Sequence, residues 1–152
     1  MEKILIEKSA RRLTLILDDA PAFSCALALG FSPSGHKLLS GDGKTPEGAY
    51  YVCVKRAEGK FGCALGLSYP SVLDARTAVS DGRLSPSLVP LFEQAQASGA
   101  RPPWGTPLGG EIYIHGGGTQ TDWTAGCIAL SDSDMAVLFK AADLGMPVVI
   151  LP

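Results

Sequence analysis

The stretch YIHGGGTQTDWTAGCIALSDSDMAVLFK, Tyr113 to Lys140, sets two short apolar runs on either side of a glycine-rich turn and follows them with an amphipathic segment. Tyr113 to His115 and Cys127 to Leu130 read as neighbouring strands joined by the loop from Gly116 to Gly126. Ser131 stands where an N-cap belongs, with Asp134 three residues on, and Met135, Leu138, Phe139 and Ala142 fall on one helical face. Gly145 and Pro147 stop that helix, and Val148 to Leu151 closes the chain as a strand. The order strand, turn, strand, helix, strand predicts a fold that is mainly β with minor helices.

Working outward, the first half repeats the strand signal. Short alternating runs at Ile4 to Glu7, Leu13 to Leu17, Phe23 to Gly30, Ala49 to Lys55 and Phe61 to Leu67 are separated by turn residues. Asp18-Asp19 reads as a hairpin turn, and Phe31 to Gly48 as a long polar connection. From Tyr69 to Gly110 the pattern breaks into Pro, Ser and Gly punctuation with two helical pieces, Leu73 to Ser80 and Val89 to Ala97. This segment reads as an irregular lid of about 69–110, kept in order by Trp104 and its neighbouring prolines.

At 152 residues the chain has the length of one domain, 1–152, with enough sequence for a real core. A net charge of −2 without a dense Lys/Arg run leaves no electrostatic footprint for nucleic acid. The early apolar run Ile4-Leu5-Ile6 is cut by Glu7 and Lys8, too soon for a signal-peptide core, and nothing approaches a membrane span. The four cysteines, 25, 53, 63 and 127, show no CxxC spacing, and only two histidines accompany them, so no zinc pattern emerges. Cys25 and Cys53 read as buried thiols, with a disulfide among Cys25, Cys53 and Cys63 left open.

Chemistry gathers at His115 and Cys127, twelve positions apart (127 − 115). A thiol attacks as thiolate, and a neighbouring imidazole moves its proton and lowers its pKa. Gly126, lacking Cβ, would let a carbonyl substrate approach, with amides of Ala125, Gly126 and Cys127 facing the developing oxyanion. The remaining ring N–H of His115 needs an acceptor: a backbone carbonyl near Gly116, with Asp122 as the rival. The same residues also fit a satisfied strand-end histidine beside a buried cysteine. Papain-like and cell-wall endopeptidase folds place Cys before His, and sortases place an arginine after Cys; neither order holds here. SGDGKTPEG, Ser40 to Gly48, mimics a phosphate loop, but Leu38 stands where a glycine is required and Pro46-Glu47-Gly48 where a helix must start. It reads as a tight turn into the strand at Ala49.

Four motifs in order, GDGKTPEG (41–48), LSYPSVLDA (67–75), TPLGGEIYIHGGG (106–118) and DWTAGCIAL (122–130), resemble the L,D-transpeptidase catalytic domain, the YkuD family. The resemblance spans Ile4 to Leu151. It implies a β-sandwich of mixed sheets and an enzyme of bacterial cell-wall assembly that needs no metal or organic cofactor. It further implies a Cys127 thioester with the third residue of a peptidoglycan stem tetrapeptide, release of D-Ala, and resolution by an amine on a second stem or a wall-linked protein. Water as acceptor would instead make the enzyme an L,D-carboxypeptidase or a crosslink-cleaving amidase. His115 would serve as base and acid, with the Gly116 carbonyl orienting its ring and the Ala125 and Gly126 amides in the oxyanion hole. Many members carry a histidine just before Gly-Cys and an arginine two residues after Cys; here Ala125 and Ala129 stand there. Trp123, Thr124, Trp104 and Tyr69 are the candidates to shape the substrate pocket in their place. Such chemistry belongs to the periplasm or cell wall, reached by an export signal removed from the mature chain.

Overall fold

In a computed structural model covering Met1–Pro152, eight strands form one mixed sheet in the order β3-β2-β1-β8-β4-β5-β6-β7. The strands are β1 Lys3–Glu7, β2 Arg12–Leu17, β3 Ala20–Ala26, β4 Gly48–Arg56, β5 Ala64–Leu67, β6 Tyr113–His115, β7 Ile128–Ala129 and β8 Pro147–Leu151. Two neighbour pairs are parallel, β1 with β8 and β6 with β7, and the others are antiparallel. Asp18 and Asp19 both take positive φ, the backbone a two-residue hairpin needs to match strand twist.

The expected β-rich sandwich with minor helices is the fold observed, with differences at strand ends. Phe23 to Gly30 is not one strand. β3 ends at Ala26, and Ala28 and Gly30 bridge instead to Ala129 and Thr124, curling the sheet back on itself. Phe61 does not begin a strand either; β5 starts at Ala64, leaving 57–63 as a loop between β4 and β5. Inside the curl, Ile4, Ile6, Leu13, Leu15, Val148 and Ile150 meet Leu65, Ile114, Ile128 and Leu130 in one buried core. Alternation along β1 and β2, with every second side chain sealed from water, supplies this face directly.

Three short helices cover the sheet: α1 Val72–Ser80, α2 Val89–Ser98 and α3 Asp132–Ala141. Ser71 and Asp74 form a reciprocal capping box on α1, and Ser131 caps α3 by accepting from the Asp134 amide at 3.2 Å. Met135 and Leu138 dock α3 into the main core. The two helical pieces expected within 69–110 are present as α1 and α2, and Val72, Ala75 and Ala78 of α1 pack with Phe92 and Leu108 in a small core of their own. All four cysteines are free thiols. No helix is long and apolar enough to cross a membrane.

Candidate active site

His115 is the last residue of β6, and Cys127 immediately precedes β7, its parallel neighbour. The parallel register, Ile114 with Ile128 and His115 with Ala129, sets Cys127 level with Tyr113 on these short strands, so two residues twelve positions apart line one cavity of about 300 Å³. Arg56, Lys60, Phe61, Ala64, Glu111 and Tyr113 line it with them. Its roof is the β4–β5 loop, and no residue of 69–110 borders it.

The His115 ring is buried and its Nδ1 lies 2.6 Å from the Gly116 carbonyl oxygen. A carbonyl only accepts, so Nδ1 carries the hydrogen and Nε2 holds the free lone pair. Burial lowers the His115 pKa, and the Gly116 carbonyl partly offsets this. Asp122, the rival acceptor, is engaged elsewhere: it pairs with Arg11 at 2.8 Å and accepts from the Leu29 amide at 2.9 Å.

The Cys127 sulfur accepts from the Tyr113 amide and donates to the Glu111 carbonyl, each at 3.4 Å. Burial raises its pKa; the Tyr113 amide and the buried Lys37 ammonium pull it down, and Glu111 pushes it up. Both burial effects favour the protonated thiol and the neutral imidazole, opposite in direction to an imidazole-depressed thiol. The pair holds the one proton that nucleophilic chemistry must move. Glu111 takes φ of 54°, an uncommon backbone state for a non-glycine residue, directly beside the sulfur.

Loops from distant parts of the chain fix the glycines. A Cβ on Gly116 would lie 2.3 Å from Asp132 Oδ1, the carboxylate that accepts from the Gly117 amide at 3.0 Å. Gly126 sits at φ of 143°, and a Cβ there would meet the Lys44 carbonyl at 2.8 Å. GDGKTPEG is therefore more than a turn into β4: it braces the Cys127 loop from behind. Asp42 holds that brace by accepting from the Leu38, Leu39 and Lys44 amides and pairing with Lys37.

Residues 2–150 match the family pattern of the L,D-transpeptidase catalytic domain, YkuD. The chain belongs to this family. Similar solved structures include the helical cell shape determining protein Pgp2 of Campylobacter jejuni, at 22% identity and TM-score 0.65, with 98% of this chain and 46% of that one aligned. Bdellovibrio bacteriovorus Bd1075 aligns at 18% identity and TM-score 0.63, covering 99% of this chain and 47% of its own. Mycobacterium tuberculosis L,D-transpeptidase 1 aligns at 14% identity and TM-score 0.56, covering 99% and 61%. The chain thus spans about half the length of these solved structures. No curated protein matches its sequence.

Within this L,D-transpeptidase domain the remaining candidates separate. The Gly126 amide donates to the Thr124 hydroxyl at 3.1 Å, so it is already engaged and is not a free oxyanion donor. The amides of Ala125 and Cys127 donate to no protein group. Thr124 is buried, with its hydroxyl donating to the Cys127 carbonyl at 2.7 Å; it shapes the loop and does not line the cavity. Tyr69 is likewise corrected from pocket to core: it is 1% exposed, and its hydroxyl donates to the Leu108 carbonyl at 2.8 Å. Trp104 stands one layer back from the cavity, edge-on to Tyr113, and donates to the Tyr69 carbonyl at 3.0 Å. Trp123 is half exposed and meets His115 and Phe61 edge-on.

Phe61, which the sequence marks only as the start of a strand run, belongs to the site instead. It stacks on His115 with ring centroids 4.5 Å apart and planes 15° from parallel, covering one face of the imidazole. Its only local signal is an aromatic flanked by Lys60 and Gly62 in a glycine-bearing loop. Tyr113 supplies a further unmarked feature, a buried hydroxyl without a hydrogen-bond partner.

Proposed function

We propose that this domain is a peptidoglycan L,D-transpeptidase in which Cys127 forms an acyl-enzyme. The observation that carries the reading is the shared cavity of Cys127 and His115, with an imidazole whose tautomer is fixed by the Gly116 carbonyl. His115 Nε2 takes the thiol proton as sulfur attacks the carbonyl of the third stem residue. The C–N bond to D-Ala breaks, and the same proton passes to the departing amine. The unengaged amides of Ala125 and Cys127 receive the oxyanion in place of the Gly126 amide. An acceptor amine, from a second stem or a wall-linked protein, then attacks the thioester. It loses its proton to His115 and regenerates the thiol.

Transfer in preference to hydrolysis is supported by the space on the far side of Phe61. There Gly117, Gly118, Thr119, Gln120, Thr121 and Trp123 border an open groove with room for an acceptor stem beside the Phe61 ring that covers His115. The domain acts in the periplasm or cell wall, where its substrate is found, as a single catalytic unit.

The test is to incubate the protein and Cys127→Ala with a disaccharide-tetrapeptide and resolve products by mass spectrometry. A dimer lacking one D-Ala, absent with the variant, is the expected result. Tripeptide alone, also absent with the variant, moves the assignment to an L,D-carboxypeptidase with the same site. No Cys127-dependent product at all overturns the acyl-enzyme.

A further inference from the structure

The register of three adjacent strands places Arg56 of β4 opposite Ala64 of β5, and Ala64 opposite His115 of β6. Residues directly opposite one another on neighbouring strands point to the same face, so Arg56, Ala64 and His115 form one lateral row. At about 4.8 Å per strand, Arg56 begins ~10 Å from His115, separated only by the methyl group of Ala64. Two positions along on the same face, Tyr113 lies across Gly66, where the Tyr113 ring, Val54 and Trp104 fill the space a Cβ would need. The small side chain at 64 therefore leaves the floor of the cavity open between an arginine and the histidine.

Arg56 is held in place without being neutralised. Its guanidinium sits 5.3 Å from the centre of the Tyr113 ring, an attraction that holds the group beside the ring and leaves its charge. It makes no ion pair with any carboxylate of the chain, and Glu111, the one acid on the cavity wall, pairs with neither Arg56 nor Lys60. A planar, uncompensated guanidinium on the wall of a reaction cavity matches a carboxylate by its two-pronged geometry.

We propose that Arg56 is the donor-specificity residue: it binds the free carboxylate of the amino acid that leaves when Cys127 is acylated. The proposal rests on the acyl-enzyme reading above. The departing amine must meet His115 to receive its proton, and in an α-amino acid the carboxylate lies one carbon beyond that amine. The row directs this group across Ala64 toward Arg56. A peptide extended or amidated beyond that residue offers no anion there, so the cavity selects donors that end one residue after the scissile bond.

The experiment follows Cys127 acylation by intact-protein mass spectrometry with two synthetic tetrapeptides, identical except for a C-terminal acid or carboxamide. A charge-assisted hydrogen bond predicts that the wild-type protein prefers the acid by about ten- to hundred-fold in acylation rate at low substrate. Arg56→Gln is expected to reduce that preference to less than about three-fold, and Arg56→Lys to restore part of it as a point charge. Thermal unfolding of the variants checks their fold, and the acid-versus-amide comparison on the wild-type protein needs no variant. Equal acylation of the wild-type protein by both peptides overturns the proposal. So does a preference that survives in Arg56→Gln. A second peptide pair, with diaminopimelate or lysine as third residue, tests the other carboxylate of the stem. If the Arg56→Gln defect follows that side chain, the leaving-residue assignment is overturned. Failure of the folded wild-type protein to be acylated by any of the peptides overturns the acyl-enzyme reading, and the Arg56 proposal with it.

Discussion

Thr45 donates its hydroxyl hydrogen to the Gly126 carbonyl at 2.8 Å, immediately before Cys127, and accepts from the Gly30 amide at 3.1 Å. Its side chain is completely buried, so this one hydroxyl ties the GDGKTPEG loop to two separate segments of backbone. Replacing it with the similarly shaped valine leaves a buried carbonyl and a buried amide unpaired.

Thr45→Val is expected to cost ~1–3 kcal/mol of folding stability, the penalty for stranding buried polar groups. Its Cys127 acylation rate should fall at temperatures where the variant is fully folded, while Thr45→Ser keeps both properties near the parent. Urea unfolding and acylation kinetics measured on the same samples check this. Unchanged values for the valine variant would show that the loop does not brace Cys127.

The pH dependence of acylation follows from the two burial effects. His115 has its pKa lowered, so it stays a neutral base to below about 6.5, and the acidic limb of kcat/KM should lie under that value. Cys127 has its pKa raised, so alkylation of this residue by iodoacetamide should climb only above the ordinary thiol value of about 8.5. Peptide mapping separates its modification from that of the other cysteines. A Cys127 alkylation rate already at plateau near neutral pH would reveal a resting thiolate–imidazolium pair and contradict this picture.

Phe61→Ala removes the ring stacked on His115. The lost contact, ~0.5–1.5 kcal/mol for an aromatic pair, predicts a roughly two- to ten-fold drop in kcat/KM for acylation. Water reaching the imidazole relieves its burial, so the acidic limb should also shift upward, whereas Phe61→Tyr should leave it in place. A rate loss without that shift would make the loop a simple substrate contact.

Asp42 links stability to acid. Burial pushes its carboxyl up, but the Leu38 and Leu39 amides, Lys37 and the Lys44 amide outweigh this and hold its pKa at about 2. Because the folded value lies below the unfolded one of about 3.9, its stabilisation is complete above pH ~4 and disappears as pH falls toward 2. Denaturant titrations from pH 6 to 2 should show a steeper acid loss in the parent than in Asp42→Asn, which forfeits the contribution at every pH. Parallel stability curves for the two proteins would remove Asp42 from this role.

Local features were legible in the chain because they depend on neighbours a few positions away. Ser71 and Ser131 cap helices, Asp18-Asp19 turns a hairpin, and alternation along β1 and β2 marks the buried face. His115, Cys127 and the Gly116 carbonyl also belong to this group, since a turn and one strand pairing suffice to join them. Chain order and four motifs carried the family.

Tertiary structure alone decided what surrounds that pair. Whether a backbone amide is free or a tyrosine reaches solvent depends on which segments fold against it: Thr124 takes the Gly126 amide, and the Tyr69 hydroxyl is enclosed by the Leu108 and Lys37 carbonyls. Arg56 and Phe61 lie more than fifty positions before His115 and reach it only through the register of β4, β5 and β6 and the loop between the first two. Hydrophobic alternation tells which face of a strand is buried; it carries no record of which residue on the next strand stands opposite. The sequence therefore determined the family and the His115 and Cys127 pair on which the proposed chemistry rests, and cross-strand register decided the walls of the cavity beside that pair.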